Sequence, residues 1–127
     1  MKKITEEWVA KAETDYDLAD LALKGREKPI ADGVCFHSQQ CVEKYLKGYL
    51  QEKEIRFSFI HPLDPLLQLC LTADAEFESI RTDLERLDFY AVRIRYPGVP
   101  AQTDEVAHKA FAAATRVRAF IRGKLGL

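Results

Sequence analysis

Gln40, Glu43, Lys44 and Lys47 recur at three- and four-residue steps within Phe36 to Leu50, a stretch whose apolar residues repeat at helical spacing. At about 100° per residue they form one narrow stripe, while Ser38, Cys41, Val42, Tyr45, Leu46 and Tyr49 occupy the other side. An amide, a carboxylate and two ammonium groups on one helix face can hold a phosphate or a base. Glu43 and Lys47 also have the i,i+4 spacing that stabilises a solvated helix face. The stripe therefore reads either as a binding surface or as ordinary solvent-facing polarity.

Asp15 poses a sharper question, because it interrupts an apolar stripe of Trp8, Ala12, Ala19 and Ala22. A carboxylate turned toward a core is costly unless paired, and Lys44, Lys47 and Arg95 are its candidate partners. An inward acid on one helix and a polar stripe on another together predict an inter-helix polar network or cleft.

His37, His61 and His108 complete the candidates for proton transfer. His61 precedes two prolines and reads as a helix-capping residue. Neither His37 nor His108 has a second histidine at the i,i+4 spacing used by zinc helices, so no metal site is expected. Arg95-Tyr96-Pro97 could present a guanidinium and a phenol to phosphate and base from a rigid loop, or could be a packing turn. Gly-rich phosphate loops, glycine-flanked serine nucleophiles and paired-acid motifs are all missing, and no cofactor is expected.

These residues need helices to position them. Thr5 with Glu6 and Glu7 suits a helix start, and the first helix runs to a stop near Gly25. A second occupies about residues 31 to 53. Asp64 can cap a short apolar helix carrying Leu63, Leu66, Leu67, Cys70 and Leu71. After a break at Thr72 to Ala75, Phe77, Ile80, Leu84, Leu87 and Ala91 carry another helix to about residue 91. Val92, Ile94 and Tyr96 alternate with Arg93 and Arg95, and read as a helix end and extended loop because a lone strand has nothing to pair with. Thr103, Asp104 and Glu105 open the last helix. The expected fold is all-α, an antiparallel up-and-down four-helix bundle with one short additional helix, as a single domain over residues 1–127.

At 127 residues the chain is long enough to bury roughly two thirds of its unfolded surface without a covalent staple. Cys35, Cys41 and Cys70 are odd in number and lie in apolar patterns, so reduced, buried thiols are expected. With no signal-peptide pattern and no apolar span, the expectation is a soluble, cytoplasmic protein without a membrane partner. A net charge of −1 argues against a general nucleic-acid coat. Residues 93–127 nevertheless hold seven Lys/Arg against two Asp/Glu. They could form a local anion-attracting surface, or Arg122 and Lys124 could merely offset the negative end of the last helix.

Gln40, Glu43, Lys44, Leu46 and Lys47 also match a helix signature, Gln-x-x-Glu-Lys-x-Leu-Lys. Trp8, Ala12 and Asp15, then His61 and Leu63, then Arg95-Tyr96-Pro97 follow in the corresponding order. In this the chain resembles the HEPN domains over nearly its whole length. The resemblance implies a nucleotide- or RNA-binding helical module, commonly a homodimer, often partnered with a small nucleotidyltransferase in toxin–antitoxin modules. Active members resemble one another in an arginine followed after four to six residues by a histidine near the start of the last helix, and cleave RNA without metal. Here Pro100, Ala101 and Gln102 stand where that histidine would be, so the motif around Arg95 is incomplete. Arg56 and His61 have the separation but lie in the wrong loop. Catalytic candidates are thus Arg95, His61 and His108, the last only if it approaches Arg95 in space. The ligand-binding candidates are Gln40, Glu43, Lys44, Lys47, Arg95 and Tyr96. Tyr45 and Gly48 depart from the small residues usual at their positions. Three readings stay open: a binding module, an active metal-independent endoribonuclease toxin, and a purely structural helical dimer.

Overall fold

The computed structural model describes residues 1–93 and 96–127. Its helices are α1 (Lys3–Lys24), α2 (Ala31–Glu52), α3 (Leu63–Ala73), a 3-10 turn (Ala75–Ile80), α4 (Arg81–Arg93) and α5 (Asp104–Lys124). No strand occurs among the described residues, and α1, α2, α4 and α5 make the expected bundle with α3 as the short addition. Ile94 and Arg95, in the expected loop, lie outside the described residues.

The helix in the middle is α2, which packs against α1, α5, α4 and α3. Burial on nearly every side explains why Ser38, Gln39, Glu43 and Lys47 are interior along with Val42, Tyr45 and Leu46. A Cβ on Gly48 would come 3.2 Å from Trp8 Cβ, so glycine there allows α1 to approach α2 closely. On α1 the buried face comprises Thr5, Val9, Ala12, Asp15, Ala19 and Leu23, with Trp8 and Ala22 only partly covered.

Three expected caps differ from those observed. Helix α1 begins at Lys3, and Thr5 is instead buried, donating from Oγ1 to Glu52 Oε1 at 2.8 Å. The same carboxylate oxygen accepts from Lys2 N at 2.9 Å. At α3, neither His61 nor Asp64 caps: Leu63 N donates to Asp88 Oδ2 at 2.8 Å, while Asp64 lies inside the first turn. Caps supplied by distant helices satisfy the same orphan N–H groups as local ones, but leave no local sequence pattern. Thr103 does cap α5, accepting from Val106 N at 3.1 Å.

Two satellite arrangements close the fold. Lys124 joins the end of α5 to Asp74 at 2.8 Å, and Gln102 N donates to Asp32 Oδ1 at 2.8 Å, tying the loop before α5 to the start of α2. That loop turns at Pro97-Gly98, where Gly98 has φ +87°. All three cysteines are free and buried. Burial pushes the Cys35 and Cys70 thiols up to about 12 and Cys41 higher still, so these are packing groups with no thiolate to offer at neutral pH. No helix among the described residues is long and apolar enough to cross a membrane.

Candidate functional site

The side of α2 that reaches solvent runs along Gly33, His37, Gln40 and Lys44. Two buried carboxylates lie beneath it. Asp15, contributed by α1, accepts from His37 Nδ1 at 2.8 Å and from the Lys44 ammonium on its other oxygen. Of the three cations considered for Asp15, Lys44 is thus the one that reaches it. Lys47 belongs to Glu43, and Arg95 is outside the described residues. His37 was not among the candidates, although it lies seven residues before Lys44 on the same face.

Glu43 forms the second node. Its carboxylate, 3% exposed, accepts from Lys47 Nζ at 3.1 Å and from His61 Nδ1 at 3.1 Å. The expected solvated face is therefore corrected for Glu43 and Lys47, which are interior, while Gln40 and Lys44 remain partly exposed. The cover comes from the α2–α3 connection. Ile55 N donates to Leu50 O at 2.9 Å, the Phe57 ring meets Trp8 edge-on at 6.1 Å, and His61 reaches Glu43. The segment thus runs back across α2 above Lys47, whose ammonium lies 5.7 Å from the Trp8 ring centre.

Gln39 and Asp88 anchor the far end of this segment. Gln39 Nε2 donates to His61 O at 2.9 Å and to Asp88 Oδ1 at 3.2 Å, and Gln40 Nε2 donates to Gln39 Oε1 at 2.9 Å. Burial raises the Asp88 carboxyl above its usual range despite the donors it accepts. An ionised carboxylate accepts only, so Asp15 and Glu43 each require the proton on Nδ1 of their histidine. Each ring is left with Nε2 as its free nitrogen, on either flank of Gln40.

The basic C-terminal third does not form an open cationic surface among the described residues. Arg118 clasps Glu13 through two bonds of 2.7 and 2.6 Å, and Arg122 reaches the same carboxylate at 3.4 Å and Tyr45 Oη at 3.1 Å. Tyr45 Oη in turn donates to Glu13 at 2.7 Å. Arg118 above all holds the Glu13 carboxyl below its ordinary value, and burial pushes the Tyr45 phenol up to about 12. Arg116 is spent on Asp83 and Lys109 on Glu105. Arg122 and Lys124 make specific pairs rather than simply facing the helix end.

His108 is exposed on α5. Its approach to Arg95 concerns a residue outside the described set, as does the Arg95 part of the expected ligand site. Tyr96 is described and is 61% exposed, so its ring is not a packing plug. No group of three or more His, Cys, Asp or Glu residues able to hold a metal occurs among the described residues. Sequence reasoning missed Glu13, Gln39 and Asp88. Each sits beside an apolar stripe, where the polar residue at a stripe's edge is the only available signal.

Comparison with known proteins gives a consistent assignment. The sequence matches the HEPN domain over residues 5–124. Among solved structures, ST0689, an archaeal HEPN homologue, is 29% identical with a TM-score of 0.75, covering 98% of each chain. TT1696 from Thermus thermophilus shares the fold at 24% identity and a TM-score of 0.76, covering 97% of this chain and 99% of that one. No curated protein matches the sequence. With the domain match extending across almost all of the bundle, the chain belongs to the HEPN domain family.

Proposed function

We propose that this HEPN protein is a nucleotide- or RNA-binding module whose ligand lies along α2 around Gln40, and that it works as a homodimer with a nucleotidyltransferase-type protein in a toxin–antitoxin pair. The binding reading is carried by the two imidazoles, each engaged at Nδ1 by a buried carboxylate. Such rings are pre-set to present Nε2, which accepts from a base amino group or a ribose hydroxyl when the ring is neutral and donates to a phosphate oxygen only when the ring is protonated. Gln40 supplies an amide between them, and exposed Tyr96 supplies a plane for base stacking. Arg95, beside Tyr96 in the chain, is the ligand's cation. The partner and the toxin–antitoxin setting rest on the family resemblance alone.

Internal pairing of the α5 cations favours a local contact over a polyanion coat, so the salt dependence of binding should be shallow. A second reading, metal-independent endoribonuclease, is favoured by the Glu43–His61 contact. A neutral imidazole held in that tautomer can take the proton of an RNA 2′-hydroxyl. Against it stand Pro100, Ala101 and Gln102 in place of the family's histidine.

The test is incubation of a labelled mixed-sequence RNA with the protein in EDTA, for the wild type, Gln40→Ala, Arg95→Ala and His61→Ala. The binding reading expects a shift without cleavage, weakened about tenfold or more by Gln40→Ala or Arg95→Ala, the loss of one charged or well-placed hydrogen bond. Cleavage by the wild type that His61→Ala removes would establish the endoribonuclease instead. Neither binding nor cleavage of RNA, with free nucleotides also failing to bind, would leave a structural dimerisation module.

A further inference from the structure

Between the end of α1 and the first turns of α2 lies an apolar groove of about 350 Å³, with Leu18, Leu21, Ala22 and Ile30 in its walls. That volume is at the lower end of the range for small-molecule sites. Gly33 leaves the α2 side of the groove open. A Cβ there would meet Ile30 and Ala22, both groove walls, at 3.4 and 3.8 Å, so a longer side chain at this position would occupy the groove itself.

Two polar groups enter this apolar frame. His37 closes the groove on the side of Gln40, with Nδ1 bonded to Asp15 at 2.8 Å. Because Asp15 holds the proton on Nδ1, Nε2 of the neutral ring is an acceptor and nothing else. Arg26, by the α1–α2 turn, lines the other end and is exposed. It makes no ion pair, whereas Arg81, Arg116, Arg118 and Arg122 are all committed to carboxylates. From Ile30 to His37 the helix rises about 10 Å, a separation that a base and its 5′-phosphate span.

We propose that this groove is a nucleobase subsite selective for adenine: the purine lies among Leu18, Leu21 and Ile30, its exocyclic amino group donates to His37 Nε2, and its 5′-phosphate reaches Arg26. This deepens the binding function proposed above and rests on it, while Gln40, one turn beyond His37, stays open. The acceptor at His37 decides the base. Uracil has no amino group to donate, and guanine or hypoxanthine would set a carbonyl oxygen, a second acceptor, where adenine has its amino group. Cytosine has the amino group but only one ring to cover the apolar walls. The larger hollow of about 460 Å³ beside Phe59 has a carboxylate, Glu54, in its lining and is less suited to an anion.

Calorimetric titration of the purified protein should show saturable binding of AMP. Purine riboside 5′-monophosphate, which lacks only the amino group, should bind about tenfold more weakly, the loss of one well-placed hydrogen bond. His37→Phe should bring AMP down to the level of that analogue, and Asp15 keeps its Lys44 partner in this variant. Arg26→Ala should weaken AMP and leave adenosine unchanged. Gly33→Leu, a change that favours the helix, should block both ligands with helical circular dichroism retained. Absence of AMP binding by the wild type overturns the proposal, as does equal binding of AMP and the analogue, or AMP binding that Gly33→Leu leaves intact. RNA titration of the same samples keeps the two readings apart. RNA binding that Gln40→Ala weakens, without AMP binding, removes only the adenine subsite. AMP binding in the groove, by a protein whose RNA affinity ignores Gln40→Ala, removes only the placement of the ligand at Gln40.

Discussion

Glu43 and Lys47 show what an i,i+4 pair becomes when its helix is surrounded. On a solvated helix the pair is worth a few tenths of a kcal/mol; here their side chains are 4% and 5% exposed, and the pairing compensates two interior charges. Removing one partner strands the other. Glu43→Leu should therefore destabilise the fold by roughly 3 kcal/mol or more, and adding Lys47→Met should recover most of that loss, because an apolar pair of similar volume substitutes well for a buried ion pair. Urea unfolding of the two variants checks this. A double variant no more stable than the single would mean that the charges do more than compensate each other. The periodicity of the stripe was legible in the sequence, but its orientation was not. An alternation of polar and apolar residues defines two faces of a helix, and only the α2–α3 connection folding back over Lys47 decides that the polar one is covered.

At the scale of elements, the ends of helices were harder to read than their faces. Thr103 has its acceptor three residues from the N–H it serves, and such a local cap is visible in the chain. Thr103→Ala should cost about 1 kcal/mol in thermal or urea unfolding. The cap of α3 comes from Asp88, twenty-five residues away, and the partner of Thr5 is Glu52, forty-seven away. These matches belong to the packed bundle rather than to any sequence window. The end of α2 offers a further test. Glu54 follows it with φ 57°, a left-handed conformation that costs a side chain roughly 1 kcal/mol and that glycine adopts freely. Its salt bridge to Lys2 is largely exposed and contributes little. Glu54→Gly should raise stability by up to about 1 kcal/mol; a loss instead would show that the Lys2 contact or the unfolded-chain entropy outweighs the relief of strain.

For the whole molecule, the carboxylates that join helices determine how it responds to acid. Glu13, on α1, receives Tyr45 from α2 and Arg118 and Arg122 from α5, and its carboxyl is held below the ordinary 4.5, chiefly by the Arg118 bond. Glu52, bonded by Lys2 N and Thr5, and Asp74, bonded by Lys124, are lowered as well. A carboxyl with a lower pKa in the folded state contributes stability that is fully present above the unfolded value and is lost as pH falls through the folded one. Asp88 has the opposite sign: its raised carboxyl opposes folding while ionised, and protonation as pH falls removes that cost. Because the lowered groups outnumber Asp88, the urea midpoint should fall as pH drops below about 4.5. Glu13→Gln should be less stable at neutral pH and show a flatter decline in acid, since it removes one group whose protonation drives the loss. A parallel decline in the two proteins would mean that the junction of α1, α2 and α5 is not where acid acts. A midpoint that rises in acid would place Asp88 in control.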